Sequence, residues 1–199
     1  MSIKEPEIAW KRKGIKKKFD KAKLTLQSLQ FLAAEGKLNL IYLDETGFSG
    51  NLPVKYTWIK RGREKCIEKI NDNSIKVNSL GLYNYADEGF SWTTTQATID
   101  SEMFIGLFEL AKPEYTLPTW IVMDNYSIHR SKKVKAKSKE WAKEKIFLYY
   151  LPSYSPELNL IEGKWKDLKY HHINQRSFHS RDELETNVNQ GIFKMCNYA

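Results

Sequence analysis

The order of elements along this chain predicts an α/β fold in which an antiparallel meander joins parallel strands linked by crossover helices. Three observations lead there. Short apolar runs separated by turn residues fill residues 38–97, the pattern of strands joined by tight connections. From residue 99 the period changes and helices alternate with short buried strands, so those strands run parallel through crossover helices. A length of 199 residues with 41% apolar side chains and six Trp suffices to fill one core of ordinary size.

The elements follow in order. "KRKGIKKKFDKAK" at 11–23 has too few apolar residues to fold alone and reads as a linker or nucleic-acid arm, or equally as a solvated charge run. Residues 24–35 have the spacing of a short helix. "LNLIYLDETGF" at 38–48 is a buried strand ending in acids and a glycine turn. Further strands are expected at 56–60, 64–70, 76–85 and 90–97, divided by "KRGR", "NDN" and "ADEG" turns. Residues 99–110 are apolar at helical spacing, with Asp100 near the start and Pro113 past the end.

A buried strand at 120–123 then exits into Asp124 and Asn125, a Lys-rich helix occupies 131–145, and "IFLYYLP" from Ile146 is a strand. Ser155 followed by Pro156 is the combination expected of an N-cap and first helical residue, so a helix should run from Pro156 to about Ile173. Leu158, Ile161, Trp165 and Leu168 make its apolar stripe, and Glu162 sits on the stripe's border. A last helix is expected at 182–195. The division that results is 1–37 as basic lead-in and short helix, 38–175 as the main body and 176–199 as a helical extension. There is no internal repeat and no low-complexity tract.

Charge narrows the partners. A net charge of +8 and an isoelectric point near 9.3 favour a polyanion, nucleic acid before membrane. No run approaches the ~18 apolar residues of a membrane span, and the Lys-rich start lacks the apolar region of a signal peptide, so a soluble intracellular protein is expected. Cys66 and Cys196 fit no metal-ligand spacing and read as reduced thiols.

Two acids hold parallel positions: Asp44 follows one apolar strand and Asp124 another. In open α/β sheets ligands gather at the carboxyl ends of strands, and Glu162 follows Asp124 after one helix, one strand and a turn that can bring it back to the same place. Three hard oxygen donors at one point suit Mg2+ or Mn2+, ions that retain waters and accept phosphate oxygens. A strand-exit Asp is more often a turn former, and a border Glu can pair with Lys166 four residues on; spacing alone leaves these readings open.

The wording around the acids goes further. "YLDETGF", "VMDNYSIHRSKK" and "LPSYSPELNLIEGKWKDLK" resemble the DDE transposases of the mariner superfamily, in particular the bacterial insertion-sequence branch known as the six-thirty family. The resemblance spans roughly residues 38–169 and extends to "TWIKRG" and "SLGLYNYADEG". It implies a ribonuclease H-like catalytic domain over 38–175, with a mixed five-stranded sheet and helices on both faces, two divalent ions, Mg2+ or Mn2+, and Asp44, Asp124 and Glu162 as the catalytic, metal-binding triad. It further implies double-stranded DNA as partner, both transposon ends and target, with cleavage and strand transfer by a homo-oligomer assembled on DNA in the bacterial cytoplasm, at the nucleoid. Asn125, His129 and Asn159 are expected to support the acids or position DNA, and Lys132, Lys133 and Lys135 to contact phosphates.

Glu45, alternating with Asp44 along the strand, is expected to face away. His171, His172 and His179 lack acidic or Cys companions at ligand spacing and are expected at the surface, while Trp58, Trp92, Trp141 and Trp165 read as core or interface anchors.

The chain departs from the family pattern at Leu160, where proline is usual, and in a longer interval between the second and third acids. The helix-turn-helix region that finds element ends is missing, which points to a separate N-terminal polypeptide, a split element or a decayed one. Two alternatives stand beside the enzyme: an inactive DNA-binding or oligomerisation remnant, and a ribonuclease H or resolvase-like nuclease.

Overall fold

Strand β1 (Asn39–Ser49) occupies the middle of a five-stranded sheet in the order β3-β2-β1-β4-β5, which is the mixed sheet expected. The remaining elements, in chain order, are α1 (Glu5–Ala34) before β1, then β2 (Lys76–Asn84), β3 (Phe90–Thr95), α2 (Ser101–Ala111), β4 (Thr119–Met123), α3 (Lys132–Lys143), β5 (Ile146–Tyr150), α4 (Ile161–Asp167) and α5 (Arg181–Asn197). This computed structural model describes residues 5–51, 61, 74–174 and 177–197, with side chains from residue 16 onward. The strands expected at 56–60 and 64–70, and with them Trp58 and Cys66, lie outside the described residues. Among the described residues no helix is long and apolar enough to cross a membrane.

The chain clusters into two compact units interleaved in sequence. The first holds α1, β1 up to Leu43, β4, α3 and β5. Leu40, Ile41, Tyr42 and Leu43 are all buried, as both faces of a parallel strand should be. β1 and β4 run parallel with Asn39 opposite Thr119 and Tyr42 opposite Val122, and β4 runs parallel to β5 from Thr119 opposite Ile146 to Met123 opposite Tyr150. The first rung is tied by side chains, Asn39 Nδ2 donating to Thr119 Oγ1 at 3.1 Å. α3 starts at Ser131, whose Oγ accepts from the Val134 N–H at 3.2 Å, and buries Val134 and Trp141.

α1 corrects the expectation of a short helix after an unfolded basic lead-in: it is continuous over 30 residues. Ala22, Leu26, Leu29 and Ala33 supply a buried stripe, and Gln30 Nε2 donates to the Tyr42 hydroxyl at 2.9 Å. Once that stripe has nucleated a helix, extending it through lysines is cheap, because lysine is a good helix former and propagation adds one bond per residue ordered. Gly36 ends it at φ +67°, with the N–H groups of Gly36 and Lys37 returning to the carbonyls of Ala33 and Leu32.

The second unit holds β1 from Asp44, most of β2, β3, α2, α4 and α5. Here β1 differs from expectation, since it does not stop at its acids but continues to Ser49. Beyond Asp44 the burial alternates, Thr46 and Phe48 inward, Gly47 and Ser49 outward, because this half is one-sided and paired antiparallel with β2. The Gly50 N–H donates to the Ile75 carbonyl at 2.8 Å, and at the other end of the ladder the Tyr85 N–H donates to Leu40 at 2.9 Å. α2 is capped by Asp100, whose carboxylate accepts from the N–H groups of Glu102 and Met103 at 2.9 Å each. β3 is docked on α5 by Trp92 Nε1 donating to Asn189 Oδ1 at 2.8 Å and Thr94 Oγ1 to Glu185 Oε1 at 2.7 Å.

The helix expected from Pro156 is three pieces. A single 3-10 turn, Pro156–Leu158, ends at Asn159 in an extended conformation; α4 then spans Ile161–Asp167, and a π-helical turn covers Leu168–His172. Ser155 makes no capping hydrogen bond, so the Ser-Pro pair starts only the short turn. The buried stripe survives the break, because Leu158, Ile161, Trp165 and Leu168 are all buried.

Trp165 anchors the second unit by lying against the bare Cα of Gly81 and edge-on to Phe90, ring centroids 5.3 Å apart at 88°. A methyl at Gly81 would stand 2.5 Å from Trp165 Cζ2 and 2.7 Å from Phe90 Cζ. Gly81→Ala is therefore expected to destabilise the fold by about 1–3 kcal/mol. Urea unfolding checks this, and an unchanged midpoint would show that the indole has room to move.

Candidate active site

Asp124 leaves β4 directly after Met123 and is held by its own turn. Its Oδ1 accepts from the Tyr126 N–H at 3.0 Å and from His129 Nδ1 at 2.9 Å. His129 is buried at 1% exposure, and the Tyr150 hydroxyl donates to its backbone carbonyl at 2.9 Å, so the imidazole has a fixed place. Burial pushes the Asp124 carboxyl upward, but the His129 and Tyr126 hydrogen bonds and the charge of His129 outweigh it, and the group titrates below the ordinary aspartate value. An ionised carboxylate only accepts, so Nδ1 carries the proton in this bond. The result is a carboxylate that is charged, aimed and half exposed.

Asp44 and Glu162 both lie in the second unit, and the charges of both act on Lys169, a residue that sequence reasoning missed. Burial pushes the Lys169 ammonium below the usual lysine range, while the charges of Glu162 and Asp44 pull it partly back. Lys169 also lies over the Phe48 ring, 5.3 Å from its centroid. The cation facing Glu162 is thus Lys169, two helical turns on, and among the described residues Glu162 forms no ion pair with Lys166. The available signal was the seven-residue interval, which returns to the same helix face.

Asn159 does not ride on the helix of Glu162, as its three-residue interval suggested. It is buried in the extended break, and its Nδ2 donates to the Leu43 carbonyl at 3.2 Å, tying the third motif to the residue preceding Asp44. Leu160, where the family pattern has proline, is 39% exposed. Asn125 Nδ2 donates to Ser153 Oγ at 3.3 Å, linking the exit of β4 to the loop after β5. Lys132, Lys133 and Lys135 are exposed on the first turns of α3.

His171 and His179 are exposed, but His172 has a carboxylate partner, Asp167, at 3.1 Å, because a π-helical turn brings residues five apart together. Trp141 and Trp165 are core residues. Among the described residues no group of three or more His, Cys, Asp and Glu forms a ready metal cage.

The chain belongs to the DDE superfamily endonuclease family, whose sequence pattern matches residues 39–185. It is 29% identical over 133 residues to the uncharacterized 39 kDa protein of insertion element IS630 from Shigella sonnei, a match covering 65% of this chain and 37% of that protein. The chain thus spans little more than a third of that relative. The Mos1 mariner paired-end complex with Mn superposes with a TM-score of 0.62 at 14% identity, covering 100% of this chain and 62% of that one. The Mos1 strand transfer complex gives 0.56 at 14% identity, covering 92% and 59%. The fold is therefore that of the ribonuclease H-like catalytic domain of a mariner transposase.

Because the folded Asp124 value lies below its ordinary 3.8, its ionised form stabilises the fold above the unfolded-state value, and that contribution is lost as pH falls through the lower folded one. Carboxyl-carbon NMR titration is expected to place Asp124 below 3.8 in the wild type, higher in His129→Leu, and low again in His129→Asn, whose amide restores a donor. Equal midpoints in the wild type and His129→Leu would exclude His129 from this role.

Proposed function

We propose that this chain is the catalytic domain of a DDE transposase, cutting DNA phosphodiesters at transposon ends and joining the freed ends to target DNA, with Asp44, Asp124 and Glu162 serving one centre. The observation that carries this is the family match over residues 39–185, which takes in all three acids; the charges of Glu162 and Asp44 also act together on the Lys169 ammonium. Support also comes from register, since Asp44 and Asp124 each lie two residues beyond the paired Tyr42 and Val122.

The donor set fits divalent magnesium or manganese. All three donors are hard oxygens, and such ions need only one or two carboxylates at a time when substrate phosphate completes their shell. Two ions bound here would supply Lewis-acid stabilisation of the attacking and leaving oxygens of an in-line displacement.

The chain's residues do the remaining work. His129 and the Tyr126 amide keep Asp124 ionised and leave its second oxygen for a ligand. Asn159 holds the segment before Glu162 against the end of β1. The charges of Asp44 and Glu162 act on Lys169 and partly offset the effect of its burial. In the reaction, water attacks phosphorus and a strand's P–O3′ bond breaks, freeing a 3′-hydroxyl; that hydroxyl then attacks a target phosphodiester, forming a new P–O bond and releasing another 3′-hydroxyl. No side chain here has to form a covalent intermediate. Exposed lysines and the net charge of +8 support sequence-independent phosphate contacts. We assign residues 38–175 to catalysis, assembly to a homo-oligomer on DNA, and end recognition to a helix-turn-helix polypeptide.

Glu162→Gln is expected to keep the fold and lose Mn2+-dependent plasmid nicking, since the amide is nearly isosteric but a neutral, poorer ligand. Mn2+ should raise the melting temperature of the wild type and shift that of Asp124→Asn much less. Nicking retained by folded Glu162→Gln, together with equal thermal shifts, would return the domain to a DNA-binding remnant.

A further inference from the structure

A cleft of about 540 Å3 lies within the first unit, away from Lys169 and Glu162 in sequence, and brings α1 together with Asn125 and Lys135. α1 contributes Lys18 and Lys21, the turn before α3 contributes Arg130, and α3 contributes Lys135. Tyr149 and Tyr150, at the end of β5, line it as well. The four cations are exposed, none is ion-paired among the described residues, and no acidic residue lines the cleft. Cations left unpaired around one concavity indicate an anionic occupant.

Its chemistry narrows that occupant. The volume is that of a cleft for a small ligand, about 300–1,000 Å3, the scale of a short piece of one strand. A groove of lysine and arginine with aromatic side chains is the arrangement that tracks a single strand, cations on phosphates and rings on bases. In a duplex the base faces are already covered and tyrosine would have nothing to stack on. The Tyr150 hydroxyl is tied to the His129 carbonyl, whereas half-buried Tyr149 lines the cleft with no hydrogen bond from its hydroxyl among the described residues. Asn125, the residue after Asp124, also lines it, so a strand lying here would lead to the Asp124 carboxylate.

We infer that this cleft binds an unpaired stretch of DNA strand beside the scissile phosphate, which makes the basic helix α1 part of the DNA cradle and not only a connector. The inference rests on the proposed DNA-cutting activity for its position, but its test does not depend on cutting.

The experiment is fluorescence anisotropy of the full chain in EDTA, comparing a labelled duplex carrying a short unpaired tail with the same duplex blunt-ended. The tailed duplex is expected to bind about tenfold more tightly, consistent with one stacked base plus phosphate contacts. Lys21→Glu and Arg130→Glu should each abolish that preference. Lys23→Glu, an equal charge change on the same helix but outside the cleft, should leave it intact. Tyr149→Phe should keep the preference and Tyr149→Ser lose it, and Lys21→Ala should reduce the salt slope for the tailed duplex by about 0.7. Equal affinity for tailed and blunt duplexes, equal loss in Lys21→Glu and Lys23→Glu, or tighter binding of an RNA tail would each overturn the inference. Nicking measured in parallel separates the two proposals: tail preference without nicking sinks the catalytic reading alone, and nicking without tail preference sinks this one alone.

Discussion

Everything at the candidate site depends on the parallel pairing of β1 with β4. Both strands are buried, so their backbone polar groups must be satisfied by each other, and a slip of one residue would turn every side chain to the opposite face. With Tyr42 opposite Val122, the acids follow at the same interval on each strand. β4 ends at Met123 while β1 runs on to Ser49, so the two strands part company where the acids begin. The carboxyl end of a strand, where a carboxylate follows the last paired residue, is where an α/β sheet receives ligands.

The carboxylates sit in different electrostatic surroundings. Asp124 is served locally, by an N–H two residues on and an imidazole five residues on, so its geometry is a property of one turn. Asp44 and Glu162 are served by a lysine whose own burial works against it. Local hydrogen bonding holds a single group at fixed geometry, whereas a nearby charge acts without fixing where the carboxylate points.

The excess positive charge is not spread evenly. Lys137 is spent on Glu140 at 2.8 Å and Lys112 on Glu109 at 2.9 Å, whereas Lys18, Lys21, Arg130 and Lys135 surround a cleft without an acidic partner in its lining. Pairing some lysines and leaving others open gives a basic protein a directed surface. α1 gains a purpose from this beyond the four apolar contacts that hold it.

Local periodicity was enough to read β2, β3, β4, β5, α2, α3 and α5 to within a few residues, because burial imposes a period of two on strands and 3.6 on helices whatever the partner. The three proposed acids were singled out by the motifs around them. The path of the chain near the acids was not. β1 runs past Asp44 because β2 pairs with it there, and the helix of the third motif breaks at Asn159 because that side chain bonds a carbonyl 116 residues away. The π-turn that brings His172 to Asp167, the burial of His129 and the placement of Lys169 depend in the same way on which surfaces meet. A residue's period is set by its near neighbours and is written in the sequence. Its hydrogen-bond partner and the charge it feels are set by distant segments, and only the folded chain decides them.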